Sequence, residues 1–512
     1  MRSKKEKSPR SGKYLKLLCR FYEPLILLEA LGPTRGTHTS ALLNAPNAQC
    51  ERRRLLDNLS YLCDYDKGGD TTSAIGLEEN DRCFVFWVAS NADTASNKIV
   101  GFLNSSLEEI HSVNHEEDNI DDFENNFIRK CIKFAESRVK KEIRLLSRAV
   151  EIGKKRFGNS KLVEDSKLIT WLSQFTSSSH RSGVDICIHA YNQRKAPEMN
   201  WLKKKTETNK EDENLTKIRH YFGRLVHHVR ASKEVIEDAI ALSNLLDVYE
   251  VRKVGLVPSN QRPQADSLKE LHSILGRMLH GTDPNVVQYR ESLTDLDQKF
   301  NITQRVRQSY GNKNFKPRVH AEIQVLEHFW ESKYKFAGND RYIGCSKPAC
   351  YCCHLYFQFH ISRPVIPPSH LKIYLNWGVR DLPEGDMDPG YIAQRDLLNK
   401  MVVTIRQDAL DQIEKKAGPS RWHPDSLTGI TESVVVLKSS TTRHPRGSSF
   451  ERNMSILDIE SIPFEATPSM ESQSPPSEEL SDSSSEDFMS PTSELGDSDP
   501  GSDSDSDGGA AC

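Results

Sequence analysis

Residues 318–360 read RVHAEIQVLEHFWESKYKFAGNDRYIGCSKPACYCCHLYFQFH. Val319, Ile323, Leu326 and Phe329 recur at helical spacing, so 319–333 is expected to be an amphipathic helix. Pro317 lies just outside its start and Gly338-Asn339-Asp340 breaks the chain after it. Residues 342–345 form a short apolar run, read as a buried strand, and Lys347-Pro348 turns the chain. From Ala349 a second helix fits, with Tyr351, Leu355 and Phe359 four apart. His320 and Glu322 then fall in the first turn of one helix, Cys350 and Cys353 in the first turn of the next. Residues two apart, such as His320 and Glu322, converge on one point only if their helix is aimed at it end-on. Cys350 and Cys353, three apart, share a face, and Cys352 points elsewhere. Two helix N-termini aimed at one point favour thiolates, because free backbone N–H groups and the helix dipole stabilise negative charge. One imidazole and two thiolates leave the fourth position of a tetrahedral zinc site open, as catalytic sites do. Three plainer readings stand beside this one: a four-ligand structural zinc that uses Cys345 or Cys352, a redox pair, and ordinary buried cysteines.

H-x-E followed by C-x-x-C resembles the zinc signature of cytidine-deaminase-like enzymes. The flanking segments HAEIQVLEHF, YIGCSKPACYCC and LKIYLNW look most like a fungal branch of that superfamily, one with a long helical N-terminal region and a deaminase core near the C-terminus. The resemblance covers 315–415. It implies that His320, Cys350 and Cys353 hold zinc and that Glu322 shuttles protons. It also implies an α/β, three-layer cytidine-deaminase-like core, a mixed sheet with helices on both faces. Two departures stand out. The pattern has proline directly before the first cysteine, whereas here Ala349 intervenes after Pro348. The fold places a β-hairpin just before the H-x-E helix, and residues 309–318, SYGNKNFKPR, are too few and too polar for one. The strands therefore come from earlier in the chain or are missing. Residues 83–89 (CFVFWVA) and 99–103 are strand-like and are the pair offered for this hairpin.

The remaining sequence divides around this core. Of 512 residues, 37% are hydrophobic and 28% charged, with a net charge of −3. Eleven cysteines and no recognisable secretory leader predict reduced thiols and an intracellular protein, cytoplasmic or nuclear. Residues 1–13 are basic and read as a disordered N-terminus. Residues 14–32 carry Lys16, Arg20 and Glu23, which makes them too charged to span a bilayer, so an amphipathic helix packed on the body is expected. No membrane association is expected. A helical pattern surrounds 52–61, and 14–300 as a whole reads as mainly helical. Within it, 215–251 is one long helical run and 201–209 looks like a charged loop. His227-His228 and His111/His115 read as surface or core histidines, not ligands.

After the second cysteine helix, 371–377 alternates and is expected to be a strand running parallel to 342–345. The ends of these two strands, Ser346 and Lys347 on one and Asn376 and Trp377 on the other, are the expected substrate-binding rim. Trp377 would either stack on a base or pack in the core. Residues 391–416 read as a helix and 433–438 as an edge strand, which closes a zinc deaminase-like domain at 301–440. Residues 441–512 form a Ser/Asp/Glu-rich tail predicted to be disordered. Between 471 and 507 it holds twelve acidic residues and no Lys or Arg, and removing those charges takes the net from −3 to +9. The expected activity is zinc-dependent hydrolytic deamination of an amino-substituted base, in a nucleotide or in single-stranded nucleic acid. The alternative is a zinc-binding interaction scaffold that keeps the fold without turnover.

Overall fold

A computed structural model of the chain describes residues 12–39, 47–113, 120–157, 163–177, 180–209, 212–264, 270–279, 283–312, 316–419 and 423–425. The expectations for 1–11, for the 433–438 strand and for the acidic tail lie outside these residues. Helices α1 (Lys13–Leu31) and α2 (Asn47–Cys63) lead into strands β1 (Ser73–Glu79) and β2 (Phe84–Ser90). Seven helices follow: α3 (Asp93–His111), α4 (Ile120–Phe134), α5 (Glu136–Phe157), α6 (Val163–Ser173), α7 (Gly183–Asn192), α8 (Pro197–Thr208) and α9 (Glu213–Ala241). Strand β3 (Tyr249–Lys253) precedes α10 (Leu271–Met278), α11 (Val286–Phe300) and α12 (Ile302–Gly311). The chain then runs through α13 (Ala321–Ser332), β4 (Ile343–Cys345), α14 (Tyr351–Phe359) and α15 (Tyr391–Glu414).

The four strands form one mixed sheet in the order β3-β2-β1-β4. β1 pairs antiparallel with β2, from Ser73↔Ser90 to Glu79↔Phe84, and antiparallel with β4 on its other edge. β3 runs parallel to β2. Alternate side chains serve two layers, as the two-residue period of a strand requires. Ala74, Val85, Trp87 and Ala89 join a core with α1, α13, α14 and α15. Ile75, Leu77, Phe86 and Val88 join another with α2, α3 and the C-terminal half of α9. The core is thus α/β with helices on both faces, as expected. Two glycines let the layers touch. A Cβ at Gly344 would lie 2.4 Å from the Leu56 carbonyl carbon of α2, and one at Gly76 would lie 2.7 Å from Val325 and Phe329 of α13.

A third apolar cluster is wholly helical, built from α4–α8 and the N-terminal half of α9. Helix α9 therefore ties this helical region to the sheet. Helix α1 is buried on nearly every side and lies against α15 and α12; Leu25 and Ile26 are fully buried. No helix among the described residues is long and apolar enough to cross a membrane.

The hairpin comes from earlier in the chain, but its strands are not the pair expected. Residues 83–89 supply β2, whereas 99–103 lie inside α3, where Ile99, Leu103, Leu107 and Ile110 are buried at helical spacing. The partner strand is β1, joined by a turn in which the Asn80 side chain accepts from the N–H groups of Arg82 and Cys83. Residues 371–377 do not form a strand beside β4: among the described residues the sheet ends at β4, whose one neighbour is β1. Leu371 has a φ of 54°, and the segment makes single bridges only, such as Thr34↔Lys372 and Arg318↔Trp377. Its alternation records burial instead: Ile373, Leu375 and Trp377 are buried. Residues 201–208 belong to α8, which starts on Pro197, and the run expected over 215–251 ends at Ala241 before β3 begins.

Candidate metal centre

His320 is the N-cap of α13, with extended backbone angles (φ −69°, ψ 152°). Cys350 is the N-cap of α14, and its Sγ accepts the Cys353 N–H at 3.4 Å. Both helices point their N-termini at the same place, and the N-cap position turns each side chain into the space ahead of its helix. His320 Nδ1 lies 3.7 Å from Cys350 Sγ and 3.3 Å from Cys353 Sγ. Spacings of about 3–4 Å are what a shared zinc ion demands of ligands bonded at about 2.0–2.3 Å. The three ligand atoms lie within 4.8 Å of one another, and all three residues are buried. Cys345 and Cys352 stand outside the cluster; the Cys345 thiol donates to the Ile343 carbonyl.

The protons on this cluster are unevenly held. Burial alone would raise the Cys350 thiol, but hydrogen bonding from Cys353 and the neighbouring His320 draw it down to about 6. Burial opposes the His320 cation, yet the Cys350 sulfur beside it raises its pKa above the ordinary value. Burial and the adjacent Cys350 push the Cys353 thiol well up. The chain alone therefore crowds two sulfurs and a ring nitrogen, all electron-pair donors, into one buried space. A dication held by all three satisfies the donor set, so the residues fit a zinc ion.

Glu322, the second residue of α13, is buried and lines the same cavity as His320 and Cys350. Its carboxylate is near enough to Cys353 to help raise that thiol, yet it stands outside the candidate metal-ligand cluster. The displaced proline also finds its explanation. The Ala349 N–H donates to the Pro368 carbonyl at 2.7 Å, and Ala349 bridges Ser369. Proline at 349 has no N–H to give to this contact.

Of the four expected rim residues, Lys347 and Asn376 line the cavity. Lys347 Nζ lies 3.3 Å from Thr72 Oγ1 and 3.6 Å from Asp64 Oδ2. Ser346 is buried against β1, its Oγ accepting the Ser73 N–H at 3.1 Å, and it does not face the metal cavity. Trp377 is 0% exposed, so it has no face for a base to stack on. It packs on Phe21 and Tyr356 and donates its Nε1–H to Cys353 Sγ at 3.2 Å. Its place is behind Cys353, not at the rim.

Sequence reasoning missed Asn91. This residue follows β2, accepts the Ala321 N–H of α13 at 2.8 Å, donates to the Gly69 carbonyl and lines the cavity. It fastens the hairpin to the helix that carries His320. The signal lay in the hairpin itself, since a residue leaving β2 falls beside the start of α13 only once that strand is placed. Arg318, His370 and Asp425 also line the cavity; Arg318 pairs with Asp70 and Asp425 with Lys372.

Residues 319–381 match the model of the OTT_1508-like deaminase family. The searches of curated proteins and of solved structures returned no significant match to the chain. The matched segment carries His320, Glu322, Cys350 and Cys353 together with α13, β4 and α14.

Proposed function

With residues 319–381 forming a deaminase-like domain of the cytidine-deaminase-like superfamily, we propose that the protein is a zinc-dependent hydrolytic deaminase. Its substrate is an amino-substituted base, carried by a nucleotide or by single-stranded nucleic acid. The observation that carries this reading is Glu322: a carboxylate inside the cavity of the His320, Cys350 and Cys353 cluster but not part of it. A structural zinc site has no use for such a group.

His320, Cys350 and Cys353 would hold the ion. Zinc in such a site lowers the pKa of a coordinated water from about 15.7 to about 7 and so supplies a nucleophile at neutral pH. The chain's own residues do the rest. Glu322 takes the proton that water gives up as its oxygen adds to the ring carbon bearing the amino group. It returns that proton to the ring nitrogen, and a further proton passes through it to the amine as the C–N bond breaks and ammonia leaves. Asn91 and the hairpin hold α13, and so Glu322, in register with the base. The buried Trp377 N–H stabilises negative charge on Cys353.

The test is metal analysis of the purified chain, followed by a mass-shift assay across nucleosides, nucleotides and single-stranded oligonucleotides. Glu322→Gln keeps volume and hydrogen-bonding reach but carries no proton. It is expected to retain zinc and to lose deamination by about 10²–10⁴-fold. A Glu322→Gln variant that deaminates as fast as wild type sinks the mechanism. A wild type that binds zinc and turns over no base favours the scaffold reading instead.

A further inference from the structure

His370 forms part of the wall of the metal cavity, together with Glu322 and Cys350. Its backbone and its ring are both fixed. The His370 N–H donates at 3.1 Å to the carbonyl of Ala349, the residue before Cys350. The ring Nδ1 accepts the Lys372 N–H at 3.1 Å. The Tyr374 ring stands edge-on to it with centroids 5.6 Å apart, and the His38 ring does so at 6.4 Å. A ring nitrogen that accepts a backbone N–H carries no proton, so the neutral imidazole bears its hydrogen on Nε2. Burial keeps the ring neutral, with its pKa down at about 3. The chain thus sets one tautomer in one orientation, an uncharged N–H donor.

That donor is unspent. Nε2 makes no hydrogen bond to any described residue, and unlike Nδ1 of His354 or Nε2 of His423 it is not sealed from the surface. His370 is only 3% exposed, and it lines the metal cavity, so the opening it has is onto that space. The charged side chains of the wall other than Glu322 are paired within the chain: Arg318 with Asp70, Asp425 with Lys372, and Lys347 with Asp64. Asn91 is occupied by the Ala321 N–H and the Gly69 carbonyl. Recognition of a base therefore falls to neutral hydrogen bonds. Asn376 also lines the cavity, but an amide turns over to offer either a donor or an acceptor. His370 offers a donor only. A base that fills the cavity, excludes water and brings no acceptor to Nε2–H is penalised, and one that brings an acceptor is selected.

We propose that His370 selects the base by donating its Nε2–H to a ring carbonyl, which makes the substrate a cytosine and not an adenine. This rests on the deaminase reading. Deamination adds water to the ring carbon that bears the amine and protonates the neighbouring ring nitrogen. One atom further along that edge, cytosine carries a carbonyl oxygen and adenine a C–H, which accepts no hydrogen bond. The other ring acceptors of adenine lie on different edges. A fixed donor in the wall that also holds Glu322 is satisfied by the cytosine edge and stranded by the adenine edge.

The experiment compares the purified, zinc-loaded full chain with His370→Asn and His370→Gln. The asparagine oxygen takes the place of Nδ1 and keeps the bond to the Lys372 N–H, but leaves nothing at Nε2. The glutamine amide nitrogen takes the place of Nε2 and keeps the donor. A structural role for His370 therefore favours the Asn variant, and base selection favours the Gln variant. Binding is measured by calorimetry with uridine and inosine, the deamination products of cytidine and adenosine, and with short oligonucleotides that contain each. Wild type is expected to bind the uracil probe about tenfold or more tightly than the hypoxanthine probe, His370→Asn to lose that margin and His370→Gln to restore it. Equal zinc content and thermal melting of the three proteins assign the changes to base contact. Turnover of cytosine substrates is expected to fall in the same order, with the loss in KM, since the bond is made before and during reaction alike. No preference by wild type for the uracil probe, an equal loss in both variants, a greater loss in His370→Gln, or faster deamination of adenine than of cytosine overturns the proposal. A His370-dependent preference for the uracil probe with no base turned over upholds the contact and rejects the deaminase reading alone.

Discussion

At the start of α13 and α14, two thiols and an imidazole crowd together with only protons between them. Between α5 and α9, Glu142 is just as deeply buried, yet it is surrounded by its complement. Its Oε1 accepts from Arg138 Nε and Arg224 Nε, both at 3.2 Å, and its Oε2 lies 2.9 Å from His228 Nε2. Arg138 also donates to the Asp64 and Tyr61 carbonyls. Both clusters bury charge, but one is neutralised by side chains of the same chain and the other is made of electron-pair donors alone. A buried charge needs a partner within reach. Where the chain provides none, the partner must be imported, and that difference marks the His320, Cys350 and Cys353 cluster as a candidate metal centre.

The comparison breaks most visibly at Cys350. Cys350→Ser is expected to abolish zinc in metal analysis, while Glu142→Gln leaves the metal content unchanged; loss of zinc from both would mean that the clusters are not independent. Glu142→Gln should in turn lower unfolding stability by about 3–5 kcal/mol in a denaturant titration, since it removes the counter-charge of the buried Arg224 and one of the two carboxylates that hold Arg138. A loss below about 1 kcal/mol would show that the cluster is hydrated and not sealed.

Acid sharpens the same contrast. Burial alone would raise the Glu142 carboxyl, but His228 and Arg138 pull it from its ordinary 4.5 down to about 2. A group whose folded pKa is depressed stabilises the fold above its unfolded pKa and loses that contribution as pH falls through the folded one. Wild-type stability is therefore expected to decline between about pH 4.5 and 2, by about 3 kcal/mol more than that of Glu142→Gln. Parallel curves for the two proteins would reject the assignment. The smallest effect belongs to Trp377→Phe, which removes one N–H···S bond from Cys353. Zinc affinity, measured by chelator competition, should fall about tenfold, as for other groups that orient a ligand from behind; an unchanged affinity would leave Trp377 a packing residue only.

What the sequence made legible was local. His320, Cys350 and Cys353 could be expected together because each sits at a helix start that apolar spacing announces. Helices α13, α14 and α15 lie close to the expected bounds for the same reason. Strand β1 stayed hidden because Gly76 and Glu78 interrupt its apolar run. Gly76 is there for the close approach of α13, and Glu78 accepts the Trp87 Nε1–H across the hairpin at 2.7 Å. Only the paired strand gives those two residues a purpose. Residues 371–377 misled in the opposite way, since alternating burial also arises where an irregular segment is laid over a core.

The placement of β1 and β2 ahead of the helical region sets the order in which the molecule can be finished. β1 is made early, but β4, which covers its free edge, follows roughly 260 residues later. At roughly 5–20 residues per second on the ribosome, that is a wait on the order of 10–50 s. Through that interval β1 presents an unpaired edge in the middle of a hydrophobic sheet, the arrangement that recruits other strands. Helices α2, α3 and α9 are complete before β4 appears and can cover one face of the hairpin. The opposite face and the edge wait for α13 and β4, so the nascent hairpin is most exposed to chaperones and to mispairing before His320, Cys350 and Cys353 are made.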